Sequence, residues 1–390
     1  MTAVRTVRTG LIGIAVAGAL AATGFAAPAQ SANQGTGERS DHAGTQAAMD
    51  AAVKDGVPGV AGQAVDTYGR WKGTSGVGSL ETGRPRSAHD RYRVGSITKT
   101  FVSTVLLQME AEGQLDLDDK VEQWLPGVVQ GNGHDGSRVS VRQLLNHTSG
   151  IFDVTSDDDF AKRVFTKRFL EHRYDTWTPS HLVRIAMGHR PTFEPGTSWS
   201  YSNTNYVLAG MIIKKVSGHG YADEIQRRII EPLGLRATSL PGTDASMPAP
   251  SSRAYSKLEQ EPKPADKTYD VTELNPSLAS SAGDMISDSG DLNHFYSALL
   301  RGELLPPAQL KEMKDTVPVD EAPNASYGLG LMRNELPCGG EVWGHSGGIH
   351  GSSSLALTTA DGSHSLALNF NGDWSGDSDA VAEAEFCPTR

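Results

Sequence analysis

Ser96 and Lys99 stand three residues apart in Val94-Gly95-Ser96-Ile97-Thr98-Lys99, where the strongest helical periodicity of the chain begins. At that spacing on a helix the two side chains share a face. The serine hydroxyl then has an amine within reach and the favourable end of the helix dipole behind it. A lysine desolvated in such a pocket loses its proton and becomes a base for the serine. An N-capping serine beside a surface lysine would give the same pattern, so other groups must choose between the two. Tyr201-Ser202-Asn203 follows Phe193-Glu194-Pro195-Gly196 and opens another helix. A phenol and an amide two residues apart can share a proton path and hold a substrate carbonyl. His345-Ser346-Gly347 is a third polar group, on a predicted strand edge, with Gly347 admitting close backbone approach. Gly344-His345-Ser346-Gly347-Gly348 also matches the G-x-S-x-G nucleophile elbow, but only 44 residues follow Ser346 and a hairpin, not a helix, comes next. That context excludes Ser346 as the nucleophile.

The elements that must position these groups are read from periodicity. Val94 to Glu112 is predicted helical, with Phe101, Val102, Val105, Leu106 and Met109 on one stripe. Further helices are predicted over 47–54, 141–145, 180–187, 204–216, 222–230 and 379–386, and strands over 60–68 and 71–78. Residues 353–359 and 365–370 alternate small or polar residues with leucine around Asp361-Gly362, a hairpin signal. Residues 240–270 read as a long loop, and Asp157-Asp158-Asp159 as a solvated loop without ligand spacing. A fold of α/β class follows: an antiparallel sheet built from both chain ends, flanked by helices, with a mostly helical region inserted over roughly 114–275.

With 35 basic against 46 acidic residues the net charge is −11, which argues against a nucleic-acid partner. Arg5 and Arg8, the uncharged run Leu11 to Phe25 and Ala27-Pro28-Ala29 read as a secretory signal peptide over 1–29, followed by a polar linker over 30–44. The expected mature protein is exported, soluble, without a membrane anchor, and monomeric. In that compartment Cys338 and Cys387 are expected to form a disulfide. No C-x-x-C, H-E-x-x-H or EF-hand spacing occurs, so neither metal nor other cofactor is expected. His147 and the six tryptophans read as structural, and His350 lies near enough to His345 either to face the cleft or to pack beneath it.

Ser96-x-x-Lys99, Tyr201-x-Asn203 and His345-x-Gly347, in this order, resemble the penicillin-recognising serine enzymes, the penicillin-binding proteins and class C β-lactamases. Among these they are most similar to the secreted D-alanyl-D-alanine carboxypeptidases, which carry histidine in the third motif. Arg93-Val94-Gly95, Leu145-Asn146-His147-Thr148-Ser149-Gly150 and Ser281-Ala282-Gly283 also look like that group's surroundings, and the cysteine pair sits where the group has its disulfide. The resemblance covers residues 45–390 and implies a β-lactamase/transpeptidase-like catalytic domain. It implies that Ser96 attacks the acyl carbon, that Lys99, directly or through Tyr201, takes the proton, and that Tyr201 returns it to the leaving amine. The backbone N–H groups of Ser96 and Gly348 would form the oxyanion hole, Asn203, Ser346 and Gly347 would contact substrate, and His345 would assist proton transfer or polarise the site. The implied substrates are peptidyl-D-Ala-D-Ala or a related acyl compound, with β-lactams as inhibitors or substrates.

The departures from that group fall on specificity. Met332 stands where the group has its carboxylate-binding arginine, Gly348 replaces a threonine, and Leu278 replaces a tryptophan lining the cleft. Arg333 is adjacent to Met332, but a one-residue shift on a strand points to the opposite face. The leading expectation is a D-alanyl-D-alanine carboxypeptidase acting on peptidoglycan stem peptides. The alternative is a β-lactamase, esterase or D-amino-acid amidase whose substrates lack that carboxylate.

Overall fold

The computed structural model of the chain describes residues 42–259, 261–319 and 322–387. The predicted leader lies outside the described residues, and so does most of the predicted linker, whose last residues begin helix α1 (Ala43–Lys54). Strands β1 (Gly59–Asp66) and β2 (Gly69–Gly76) form an antiparallel hairpin. Asp66 closes its turn by accepting the N–H groups of Tyr68 and Gly69 at 2.7 and 3.0 Å. Helices α2 (Thr98–Ala111), α3 (Asn203–Ser217) and α4 (Ser289–Leu300) precede six more strands. These are β3 (Val317–Pro318), β4 (Ala325–Tyr327), β5 (Met332–Glu335), β6 (Glu341–Ile349), β7 (Ser352–Thr359) and β8 (Ser365–Phe370), and helix α5 (Ser378–Phe386) follows them.

The strands make one antiparallel sheet in the order β2-β1-β8-β7-β6-β5-β4-β3. The N-terminal hairpin docks on the last strand, with Val60 opposite Phe370 and Val65 opposite Ser365, so the sheet is built from both ends of the chain. The leucine alternation of β7 and β8 divides its two faces. Leu355, Leu357, Leu366 and Leu368 pack with Met49, Val381 and Ala382 beneath α1 and α5. Their neighbours Ala356 and Ala367, paired across the strands, lie on the opposite face in the core that includes α2 and α4. A side-chain period of two sends alternate residues to opposite faces, and alanine there lets α4 approach the sheet closely.

Between α2 and the later strands lies the largely helical insertion, including Val141–Leu145, Asp158–Val164 and Pro179–Met187. Asp157-Asp158-Asp159 is not a loop. Asp157 caps the helix that follows by accepting the Phe160 N–H at 2.7 Å, and the next two aspartates occupy its first turn. Helix α4 is not among the helices predicted from the sequence, although Leu292, Phe295, Tyr296 and Leu299 stand at helical spacing in it. Asp288 caps it by accepting the Asp291 N–H at 2.8 Å, and its buried Asn293 donates to the Gln63 carbonyl at 2.8 Å, joining the helix to β1. Helix α2 begins at Thr98 after a single 3-10 turn over Gly95–Ile97, later than the periodicity suggested. It is buried nearly all round, because its polar residues find partners. Thr100 donates to the Gly330 carbonyl at 2.7 Å, and Ser103 pairs with the Tyr206 hydroxyl at 3.0 Å.

Candidate active site

Gly95 has φ +54°, a left-handed backbone that favours glycine, and it ends the strand-like approach to Ser96. The same glycine admits β6, since a Cβ on Gly95 would stand 2.7 Å from the Gly348 oxygen and 2.8 Å from its nitrogen. From the other side, a Cβ on Gly347 would overlap the Val94 carbonyl oxygen and press on the Ser96 nitrogen at 3.0 Å. Two glycines thus bring the Ser96 and Gly348 amides together. Strand β5 reaches only as far as Gly344, so residues 345–349 pair with β7 on one side and lie along the Ser96 turn.

Lys99 is wholly buried, and its Nζ has three neighbours: Ser96 Oγ at 2.9 Å, Asn203 Oδ1 at 2.9 Å and the Ala282 carbonyl at 2.8 Å. Burial lowers its pKa to about 7 against the opposing charge of Asp153. In the neutral amine two N–H bonds serve the two acceptor-only oxygens, and the lone pair is left facing the serine hydroxyl. The Asn203 orientation is itself held by Asp153, whose carboxylate accepts the Asn203 N–H at 3.0 Å and its Nδ2–H at 3.3 Å. Asp153 is half-buried, and desolvation raises its pKa against hydrogen bonds from Thr155 and Asn203. Tyr201 stands with its ring centre 4.8 Å from Lys99 Nζ. Burial holds its hydroxyl above the ordinary phenol range, opposed by a hydrogen bond with Ser96. The structure therefore gathers Ser96, Lys99, Tyr201, Asn203, Gly347 and Gly348 at one place. Ser346 is exposed on β6 beside them.

His345 is placed differently from a proton carrier. It is buried, its Nδ1 donates to the Ser346 carbonyl, and its Nε2 accepts from the Tyr327 hydroxyl at 2.8 Å. Burial and the nearby Lys99 push its pKa down to about 3. Both ring nitrogens are engaged away from Ser96, which narrows the expectation for this residue to a neutral, polarising group. His350 packs rather than opening to the cleft: it stacks on Phe169 at 4.0 Å, and its Nε2 donates to the Val164 carbonyl at 2.7 Å.

Asp153, Tyr327 and the Ala282 carbonyl had no motif of their own. Asp153 lies just beyond Ser149-Gly150, and Ala282 lies inside the flanking Ser281-Ala282-Gly283, so position beside known flanks was the available signal. Met332, at the position of the carboxylate-binding arginine expected from the resemblance, pairs with Gly344. Arg333 turns to the other face, where Nε meets Glu341 at 2.5 Å and Nη1 meets Glu335 at 3.0 Å. Leu278 and Ile349 are half-buried together against Val271 and Leu274, an apolar wall near the end of β6. The cysteines are joined, Cys338 in the β5–β6 turn to Cys387 at the end of α5.

The Beta-lactamase family profile matches residues 45–385, and the chain belongs to that family, as a β-lactamase-fold serine hydrolase. It is similar to the crystal structure of a D-stereospecific amidohydrolase from Streptomyces sp., 61% identical with a TM-score of 0.85, covering 90% of this chain and all of that one. A D-amino acid amidase from Ochrobactrum anthropi SV3, solved with D-phenylalanine, is 29% identical with a TM-score of 0.75 over 87% of this chain and 97% of that one. A penicillin-binding protein of Bacillus subtilis (strain 168) is 29% identical over 294 residues, 73% of this chain, and the chain spans 62% of that relative's length.

Proposed function

We propose that this chain is a D-stereospecific amidohydrolase, cleaving amides and esters of D-amino acids through a Ser96 acyl-enzyme. The observation that carries acyl transfer is the set of three oxygens around Lys99 Nζ: Asn203 Oδ1 and the Ala282 carbonyl can only accept, so in the neutral amine they take both N–H bonds and the lone pair faces Ser96 Oγ. Lys99 takes the Ser96 proton as Oγ bonds to the acyl carbon. The Ser96 and Gly348 amides hold the oxyanion. Tyr201, kept protonated by burial, gives its proton to the departing amine and regains one from Lys99, and water then hydrolyses the ester.

The amidase reading is favoured over D-alanyl-D-alanine carboxypeptidase because Arg333 is committed to Glu335 and Glu341 on the far face of β5, leaving Met332 opposite the motif strand. The similarity to the Streptomyces amidohydrolase supports the same choice. Lacking a charge-assisted pair to a terminal carboxylate, the site forgoes about 1.5–3 kcal/mol for a D-Ala-D-Ala substrate. The test compares release of ammonia from D- and L-phenylalanine amide with release of D-alanine from diacetyl-Lys-D-Ala-D-Ala. D-selective amide turnover with negligible D-alanine release is expected. Rapid D-alanine release instead would restore the carboxypeptidase. Export through the leader belongs to the same proposal and is supported by the Cys338–Cys387 bond. Recovery of the intact N-terminus from cell lysate alone would sink it.

A further inference from the structure

His147 takes no part in the reaction just described, yet it grips the segment that carries Tyr201 and Asn203. Its carbonyl accepts the Ser200 N–H at 3.1 Å, and its Nδ1 accepts the Ser202 N–H at 3.3 Å and Asn205 Nδ2 at 3.2 Å. Asn205 presents its amide nitrogen because its Oδ1 accepts the Ser149 hydroxyl at 2.7 Å. With two donors aimed at Nδ1, that nitrogen carries no hydrogen, and the ring is neutral with its proton on Nε2.

The imidazole is wholly buried, and its Nε2 has no hydrogen-bond partner among the described residues. Its ring centre lies 4.3 Å from that of Tyr201, 4.9 Å from Tyr327, 5.4 Å from Tyr206 and 6.1 Å from Trp199. The backbone at His147 has φ +63°, a left-handed conformation that a residue with a β-carbon keeps only where its surroundings hold it. A surface loop serving only to connect elements has no need of a strained, buried imidazole bonded at both its backbone and its side chain to one neighbouring segment.

We propose that His147 is a positioning residue for amide cleavage: it holds the Tyr201 ring in register with Ser96 and Lys99, so that the phenol meets the leaving nitrogen. The inference rests on the acid role given to Tyr201 above. An amine cannot leave without a proton, whereas a nitrophenolate can, so misplacing the phenol penalises amides and spares activated esters. A structural loss that only reduces the fraction of active molecules lowers both equally.

The experiment measures kcat/KM for D-phenylalanine amide and for its 4-nitrophenyl ester, with active sites counted by covalent titration of Ser96. His147→Ala is expected to lose about 100-fold on the amide, the scale of a 1 Å misplacement, with the ester within about threefold. His147→Asn keeps an acceptor near Nδ1 and tolerates the left-handed backbone, so it is expected to recover most of the amide rate. His147→Gln moves the polar group toward the Nε2 position and is expected to stay low; if the alanine variant does not fold, the Asn–Gln contrast decides. Equal losses on amide and ester, or Asn no better than Gln, would overturn the proposal. Tyr201→Phe separates the two readings. If it leaves the amide-to-ester ratio intact, the acid role falls and this inference with it; if it collapses the ratio while His147→Ala does not, only the inference falls.

Discussion

At the scale of single residues, the site is organised by who owns each hydrogen. The proposed base, Lys99, is one whose environment brings its pKa down to about 7, lowered by burial and opposed by Asp153, so that the neutral amine is populated near neutral pH. The protonated amine has no lone pair for Ser96, so kcat/KM for amide hydrolysis is expected to fall as pH drops through about 7, read from a pH–rate profile. Asp153→Asn removes the negative charge that favours protonated Lys99. Its acid limb is therefore expected to move to lower pH, with kcat down roughly tenfold as the Asn203 amide loses its fixed orientation. An unmoved limb would remove Asp153 from the electrostatics of Lys99. His345→Gln, by contrast, is expected to leave the acid limb where it is, because a ring with a pKa of about 3 is already neutral across the working range.

At the scale of elements, the site exists because β6 outruns β5 and its end is glycine. Gly347→Ala puts a methyl group into the Val94 carbonyl and against the Ser96 nitrogen, and it must push the strand away from Ser96. Displacing one oxyanion donor is expected to cost roughly 100- to 1000-fold in kcat, with the far-UV spectrum unchanged. Further along the same face of the sheet, volume governs. Ala367→Leu inserts a large side chain where Ala356 and Ala367 meet the α2–α4 core, and is expected to cost about 1–3 kcal/mol in denaturant unfolding.

At the scale of the whole molecule, the two ends of the chain hold the middle. The β1–β8 pairing closes the sheet, and the Cys338–Cys387 bond ties the β5–β6 turn to α5 across a separation of 49 residues. On the chain-entropy account a loop of that length stabilises by about 4 kcal/mol. The paired Cys338→Ser, Cys387→Ser variant is expected to melt several degrees lower while keeping its kcat, since neither cysteine lies at the catalytic residues. A loss of kcat with an unchanged melting temperature would assign the bond to the site instead.

What the sequence determined by itself is what local spacing determines. One helical turn relates Ser96 to Lys99, two residues relate Tyr201 to Asn203, and the alternation of 353–359 with 365–370 appears as paired β7 and β8. The face-flip of Arg333 was also legible, because a strand's period of two leaves no other choice. The aspartate-capped helix from Asp158 was not, since its start is set by a side-chain cap and its face by tertiary burial, while helix α4 went unpredicted although Leu292, Phe295, Tyr296 and Leu299 mark its buried face. Only the tertiary structure decided the state of the site. Lys99 meets Asn203 104 positions away and Ala282 183 positions away, and Tyr327 takes up His345 Nε2. Such pairings follow from how the insertion packs on the sheet, and desolvation, which sets the charge of Lys99 and His345, depends on everything that surrounds them rather than on neighbours along the chain.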